Sequence, residues 1–205
     1  MRSKSLLRLV ESAVLIAVGT VLSILAFPGF WPLGGSITLC AMLPLVVLAH
    51  RHGTAWGLLC GLIYALLQMV LGFQNVQYAT STGMALGIVM LDYILPFTLI
   101  GLSAVFNKAV PKRPLSIALG ILLTFSLRFL CHFASGVIIW EALWPNELGW
   151  AAPLWSLSYN GSYMLPETLI TIAAALLTYR PLKRFWLAAE MPPPAVRDKG
   201  GMKAQ

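Results

Sequence analysis

Asp92 is an acidic residue within an apolar stretch, and this position makes it the first candidate for a binding site. No other charged residue occurs between Gly83 and Phe106. An ionisable side chain at membrane depth is costly, so it normally faces a helix-bundle interior, a wet cavity or a ligand. We therefore predict that Asp92 binds a ligand or takes part in transport. A buried ion pair with Arg128 or a hydrogen bond to His132 is the structural alternative.

Further polar groups occur in the later apolar segments. Arg128 and His132 are four residues apart and share one helical face, and Trp140 falls close to the same stripe. Glu167 is predicted to lie at a depth comparable to that of Arg128, toward the cytoplasmic half. Because an unpaired charge there would be costly, Arg128 and Glu167 are predicted to form a structural pair.

Five polar and aromatic residues are predicted to belong to the outer half of the bundle, where they can line one pocket: Asp92, His132, Trp140, Tyr159 and Asn160. A carboxylate, an imidazole, an amide and electron-rich rings suit a flat organic cation, through cation–π attraction and a counter-charge. An anionic ligand would need clustered Lys or Arg. Taken singly, each residue other than Asp92 also has an ordinary structural explanation, such as a core histidine, an interface aromatic or an interhelical hydrogen bond.

The composition indicates which elements must hold these residues. Of 205 residues, 59% are hydrophobic and 10% are charged, and the mean hydropathy is +0.81. This excludes an ordinary soluble globule and predicts an all-α integral membrane protein. Six helices are predicted, at 6–27, 36–49, 54–73, 82–106, 115–140 and 153–179. They form one six-helix, substrate-binding membrane domain over residues 1–186, followed by a disordered cytoplasmic tail, 187–205.

The basic residues predict the orientation of the bundle. They precede helix 1, lie between helices 2 and 3 and between 4 and 5, and follow helix 6: Arg2, Lys4, Arg8, Arg51, Lys108, Lys112, Arg113, Arg180, Lys183 and Arg184. The other three loops contain no Lys or Arg, so both termini are predicted to be cytoplasmic. The scattered charge does not indicate nucleic-acid binding. The first segment resembles a signal peptide, but this topology requires it as a retained span.

Sequence motifs of enzymes are absent. There is no HExxH, P-loop, GxSxG or dinucleotide fingerprint. Cys40, Cys60 and Cys131 lack CxxC spacing and are predicted to be buried hydrophobes, not metal ligands or disulfides. We predict neither catalysis nor a cofactor nor a metal. Uphill transport would take its energy from an ion gradient or from a partner.

Small residues mark places where helices approach closely. Ala13 and Ala17 form an AxxxA step on helix 1, and Gly53, Gly57 and Gly61 form a stripe entering helix 3. Such steps are common in membrane helices, so internal packing is the first interpretation and docking of another membrane protein the alternative.

Three segments together carry a family resemblance: 91–97 (LDYILPF), 128–138 (RFLCHFASGVI) and 159–167 (YNGSYMLPE). They resemble the ThiT (YuaJ) family, the thiamine-specific S-components of energy-coupling factor (ECF) transporters, and the similarity extends over residues 6–179. The resemblance implies a non-catalytic, multi-pass subunit of the cell membrane that captures thiamine from outside. It also implies a membrane scaffold subunit and two ABC-type ATPases as partners. Ala13 and Ala17 would then face the scaffold, which reverses the first interpretation for that step.

The resemblance also implies a set of binding residues. The family's carboxylate, tyrosine, histidine, stacking tryptophan and amide fall on Asp92, Tyr93, His132, Trp140 and Asn160, and its lid tryptophan falls on Trp31. Tyr64 stands where some relatives have a helix 3 aromatic, and Tyr78 is assigned to the same site. Some relatives have Glu in place of Asp92, and Pro96 replaces a small residue. An S-component for another vitamin and a stand-alone ion-coupled carrier of a small organic cation remain alternatives.

Overall fold

The computed structural model describes residues 2–27 and 35–187, with side chains from residue 5 onward. This part of the chain is mostly helical, with one two-stranded antiparallel sheet and connecting turns and loops, as predicted for an all-α membrane protein. The predictions for Trp31 and for residues 188–205 lie outside the described residues. The elements are α1 (Arg2–Ile24), β1 (Ala26–Phe27), β2 (Ile37–Thr38), α2 (Leu43–His52), α3 (Thr54–Leu71), a 3-10 helix (Phe73–Tyr78), α4 (Thr82–Asn107), α5 (Arg113–Leu143), α6 (Ala152–Tyr179) and α7 (Lys183–Trp186).

Five of these helices, α1, α3, α4, α5 and α6, are long and apolar enough to cross a membrane. The second predicted helix differs from the prediction, since α2 begins at Leu43 instead of residue 36. Residues before it pair as β2 with β1, and Cys40 adopts a left-handed backbone conformation, with φ of 57°, that a continuous helix excludes. Pro44 then occupies the first turn of α2, where its missing N–H costs nothing. Ten helical residues are about 15 Å long, half of a hydrocarbon core.

Helix α4 is continuous but irregular around Asp92. Its segment Val89–Ile94 is π-helical, and its last part, Leu99–Asn107, is 3-10 helical. Pro96 explains the wide turn, because it has no N–H to donate to the carbonyl of Asp92, four residues earlier, and its ring crowds that carbonyl. A second π-helical segment, Gly136–Trp140, lies in α5. Single π-helical turns are frequent at functional sites, and these two contain Asp92 and Trp140.

The glycine stripe of α3 packs inside the bundle. A Cβ atom on Gly57 would lie 2.9 Å from the carbonyl oxygen of Gly101, and one on Gly61 would lie 2.8 Å from that of Phe97. Only glycine lets α3 and α4 approach so closely. The predicted internal packing is therefore confirmed for Gly57 and Gly61, whereas Gly53, with φ of +90°, has nothing within 4 Å of its Cβ position.

A polar cluster joins both ends of the described chain on one side of the bundle. Arg51, at the end of α2, donates hydrogen bonds to Glu11 of α1 from Nε (2.8 Å) and Nη2 (2.5 Å). Its Nη1 donates to the carbonyl oxygen of Phe185 in α7. Arg8 stacks on Trp56, 3.7 Å from the ring centroid. The start of α1 and the last described helix therefore lie on the same side.

Candidate functional site

A cavity of about 220 Å³ lies between the long helices. Seven of the nine residues predicted to bind substrate line it: Tyr64, Asp92, Tyr93, His132, Trp140, Tyr159 and Asn160. They come from α3, α4, α5 and α6, so residues far apart in sequence meet in one place. Of the other two predicted residues, only Tyr78 is described, and it is not among the residues that line the cavity. Trp31 is outside the described chain, and Tyr78 contacts Trp144, which does line the cavity, with ring centroids 4.7 Å apart.

Asp92 is held by three neighbours on α5. Its Oδ2 accepts hydrogen bonds from Ser135 Oγ and from Trp140 Nε1, both at 2.9 Å. Its Oδ1 lies 3.3 Å from His132 Nδ1. Only 12% of its side chain is exposed, so the carboxylate is largely removed from solvent and held in one orientation. Among the structural alternatives for Asp92, the structure shows the neighbour His132 and not an ion pair with Arg128.

His132 presents a free hydrogen-bonding atom to the site. Its Nδ1 faces Asp92, while its Nε2 is buried with no partner in the described part of the chain. A buried polar atom without a partner is costly, and such atoms often mark the place of a ligand or a water molecule. The imidazole therefore couples Asp92 on one side to an unused polar atom on the other.

Aromatic rings form two walls of the cavity. On α5 and the loop after it, the rings of Trp140 and Trp144 stack with centroids 5.5 Å apart and planes 13° apart. On α6, Tyr159 lies between Trp155 and Tyr163, at 5.8 and 6.0 Å. Flat π-faces in a partly desolvated cavity attract planar and cationic groups.

Asn160 is tied to α5 by its amide. Its Nδ2 donates to the carbonyl oxygen of Ser156 at 3.0 Å and to that of His132 at 3.5 Å, and its Oδ1 accepts from Tyr163 at 2.6 Å. Helix contact is close here, because a Cβ atom on Gly136 would lie 2.2 Å from Ser156 Oγ. Asn160 thus lines the cavity and joins α5 to α6.

The two predicted tyrosines of α3 and α4 make mainly structural contacts. The hydroxyl of Tyr93 donates to the carbonyl oxygen of Gly72 (2.8 Å) and accepts from Asn75 Nδ2 (2.9 Å). The fully buried Tyr64 packs edge-on against Phe97, with centroids 5.4 Å apart. Both rings shape the cavity, while the hydroxyl of Tyr93 is already occupied.

Arg128 and Glu167 form the predicted pair, with Nη1 and Oε2 2.6 Å apart. The side chains are 8% and 1% exposed, and Thr38 Oγ1 also donates to Glu167. The pair is therefore buried, and Glu167 has two contacts, whereas Arg128 Nε has no hydrogen-bond partner among the described residues. Arg128 nevertheless lines the cavity, which its predicted deeper position did not suggest.

Several lining residues were not predicted from the sequence: Gln68, Asn75, Glu141, Trp144 and Trp155. Helical spacing offers a signal for two of them, because Trp144 follows Trp140 by four residues and Trp155 precedes Tyr159 by four. Glu141, next to Trp140, could have been noticed as an acid at the end of an apolar segment. Within residues 2–27 and 35–187, no three His, Cys, Asp or Glu side chains are grouped to hold a metal ion.

Comparison with known proteins agrees with this architecture. A family model described as "Thiamine transporter protein (Thia_YuaJ)" matches residues 9–186. The thiamine transporter ThiT of Bacillus subtilis (strain 168) is 30% identical over 192 residues, which cover 87% of this chain and 93% of that protein. ThiT of Lacticaseibacillus paracasei is 30% identical over 151 residues, or 68% of this chain and 72% of that protein.

A solved structure of ThiT from Listeria monocytogenes has the same fold. It aligns with a TM-score of 0.73 and 27% identity, over 90% of this chain and 99% of that chain. The match to the family model spans all five long apolar helices apart from the start of α1. The chain is therefore a multi-pass membrane protein that belongs to the thiamine transporter (Thia_YuaJ) family.

Proposed function

We propose that this chain is the thiamine-binding S-component of an ECF-type uptake transporter in the cell membrane. The observation that carries the proposal is the Asp92 carboxylate, held in a cavity between two aromatic walls. Thiamine is a flat organic cation with hydrogen-bonding groups at one ring, which such a cavity suits. The family consists of transport proteins, so the chain binds and releases its ligand without catalysing a reaction.

In this proposal each part of the cavity recognises a different part of thiamine. The rings of Trp140 and Trp144 offer a stacking surface, and Tyr159 lies on the opposite helix. Asp92 and the free Nε2 of His132 bind the polar edge or balance the charge. Asn160, on the same helix as Tyr159, is proposed to hydrogen-bond the ligand. Tyr93, Tyr64 and Tyr78 are proposed to support the binding site by packing. Trp31 is proposed to cover the ligand as part of the loop between α1 and α2.

The cavity is proposed to open outward, with both chain termini in the cytoplasm. The Lys and Arg residues lie in the terminal segments and in the loops predicted to be cytoplasmic. Such residues accumulate on the cytoplasmic side of membrane proteins. The contacts of Arg51 with both Glu11 and Phe185 support a common side for the two ends of the described chain. Trp144, which lines the cavity, and Tyr78, which contacts it, lie in or next to chain segments without Lys or Arg, which supports an outward opening.

Binding of thiamine is expected to be saturable at or below about micromolar concentration, because a cavity lined by rings and a carboxylate compensates for desolvating a cation. Isothermal titration of the purified, detergent-solubilised chain measures this directly. Riboflavin is the matched control, since it is also a flat vitamin but carries no fixed positive charge. The proposal fails if no saturable heat appears with thiamine, or if riboflavin binds equally well.

Energy for uptake is proposed to come from a partner module, with a membrane scaffold subunit and two ABC-type ATPases. Ala13 and Ala17 support a docking surface on α1, because both are exposed on the described structure and small enough for close helix approach. Exposed Val14 and Val18 lie beside them and extend the same apolar surface.

Replacing Ala17 by tryptophan is expected to reduce ATP-driven thiamine uptake at least about twofold while leaving thiamine affinity unchanged, because a bulky ring blocks close helix contact. Uptake is measured in proteoliposomes that contain the reconstituted transporter. Leu177→Trp is the control, since Leu177 is 77% exposed and belongs to a different helix, α6. Equal uptake by both variants would contradict docking at Ala17, and gradient-driven uptake without ATPases would indicate a stand-alone carrier.

A further inference from the structure

Glu141 brings a second carboxylate to the cavity, immediately after Trp140 on α5. Its Oε1 accepts hydrogen bonds from Asn146, from Nδ2 at 2.9 Å and from the backbone N–H at 3.2 Å. Its Oε2 is buried and has no hydrogen-bond partner among the described residues. One oxygen therefore holds the following loop, while the other is available to a bound molecule.

The loop keeps this carboxylate in place. Asn146 Nδ2 also donates to the carbonyl oxygen of Trp150 (2.8 Å), and the backbone N–H of Trp150 donates to Asn146 Oδ1 (2.9 Å). Moving Glu141 away from the cavity would break its bonds to Asn146 and loosen this closed turn. A ligand that is repelled by Glu141 therefore cannot displace the Glu141 side chain without the free-energy cost of breaking these hydrogen bonds.

The charges around the cavity are unevenly distributed. Asp92 and Glu141 line it, and the one guanidinium among the described lining residues, that of Arg128, is already paired with Glu167. Arg128 also precedes Glu141 by 13 residues on α5, or about 20 Å along the helix. The described residues at the Glu141 end of the cavity thus offer negative charge and no neutralising arginine or lysine.

We propose that Glu141 is a specificity-determining residue that makes the cavity favour the free thiamine cation over its phosphate esters. The inference rests on the proposed thiamine-binding function. A phosphate group adds more than one negative charge at neutral pH, and a fixed, poorly solvated carboxylate repels it. The same carboxylate attracts the cationic ligand, so a single residue acts in opposite directions on the two molecules.

The experiment compares dissociation constants for thiamine and thiamine monophosphate by isothermal titration of the full chain. The unaltered protein is expected to bind thiamine at least about tenfold more tightly than the monophosphate. In Glu141→Gln the ratio of the two constants is expected to fall at least about fivefold, because the charge is lost while a side-chain carbonyl can still accept from Asn146.

Two control variants separate charge at this position from other effects. Glu147→Gln removes the same charge from an exposed residue of the same loop and is expected to keep the wild-type ratio. Asn146→Ala removes the bonds that hold Glu141 in place but retains its charge, so the ratio is expected to fall less than in Glu141→Gln. An unchanged ratio in Glu141→Gln, or an equal fall in either control, would overturn the inference while leaving thiamine binding intact. Absence of thiamine binding by the unaltered chain would overturn the proposed function and this inference with it.

Discussion

Substitution of Asp92 by asparagine is expected to raise the dissociation constant for thiamine more than tenfold, a loss of more than about 1.4 kcal/mol. Asparagine has nearly the same shape and can still accept hydrogen bonds from Ser135 and Trp140, which now donate to Oδ2. The substitution therefore removes mainly the negative charge that balances a bound cation. Asp92→Ala, which also removes the acceptors that orient Trp140, is expected to have a larger effect. Isothermal titration with thiamine measures both variants.

A structural function for Asp92 makes a different prediction for the same variants. If Asp92 only held α5 against α4, its loss would lower the thermal unfolding temperature in detergent without a specific effect on affinity. Ser135→Ala is a useful comparison, because it removes one hydrogen bond to Asp92 and keeps the charge. Thiamine affinity that is unchanged in a stably folded Asp92→Asn would exclude Asp92 from ligand binding.

Replacing Arg128 by methionine is expected to destabilise the protein by about 3–5 kcal/mol, because it leaves the carboxylate of Glu167 buried without its charged partner. Glu167 is 1% exposed, and its other contact, from Thr38 Oγ1, does not neutralise it. The double variant Arg128→Met/Glu167→Met removes both charges and is expected to recover most of the loss. Thermal unfolding of the detergent-solubilised variants, without ligand, gives the order of stability.

The single and double variants together test the pair instead of either residue alone. Thr38→Val is the matched milder change, because it removes the hydroxyl donor to Glu167 but leaves the ion pair intact. It is expected to cost about 1.5–3 kcal/mol, as for other hydrogen bonds to charged groups. Wild-type stability in Arg128→Met, or a double variant less stable than both single variants, would contradict a structural pair.

The predicted and observed helices show where sequence patterns suffice. Long apolar segments predict spans because a bilayer requires about 20 apolar residues whatever the rest of the fold does. The five long helices therefore begin and end close to the predicted residues. Helix α2 was predicted incorrectly at its start, because apolar residues 36–42 are equally compatible with helix and strand. Pairing of Ile37–Thr38 with Ala26–Phe27 is a contact between distant residues, which periodicity does not contain.

The charged residues show the same division. The pairing of Arg128 with Glu167 was predictable, because few buried charges of opposite sign occur at that depth and each requires a partner. The partners of Asp92 were only partly predictable. His132 was among the candidates, whereas the hydrogen bonds from Trp140 and Ser135 depend on how α5 is rotated about its own axis. The π-helical segments containing Asp92 and Trp140 alter that rotation.

The amino-acid sequence by itself determined the class of the protein, the long helices, the family resemblance and Asp92 as the first candidate for a binding site, because cost of burial and apolar length are local properties. Only the tertiary structure decided that Trp140 donates to Asp92, that Arg128 lines the cavity beside its own pair, and that Glu141 adds a second carboxylate. Which side chains share a cavity depends on the rotation and close approach of helices. Contacts such as that of Gly136 with Ser156 determine the rotation and the close approach of the helices, and these contacts join residues that are distant in the chain.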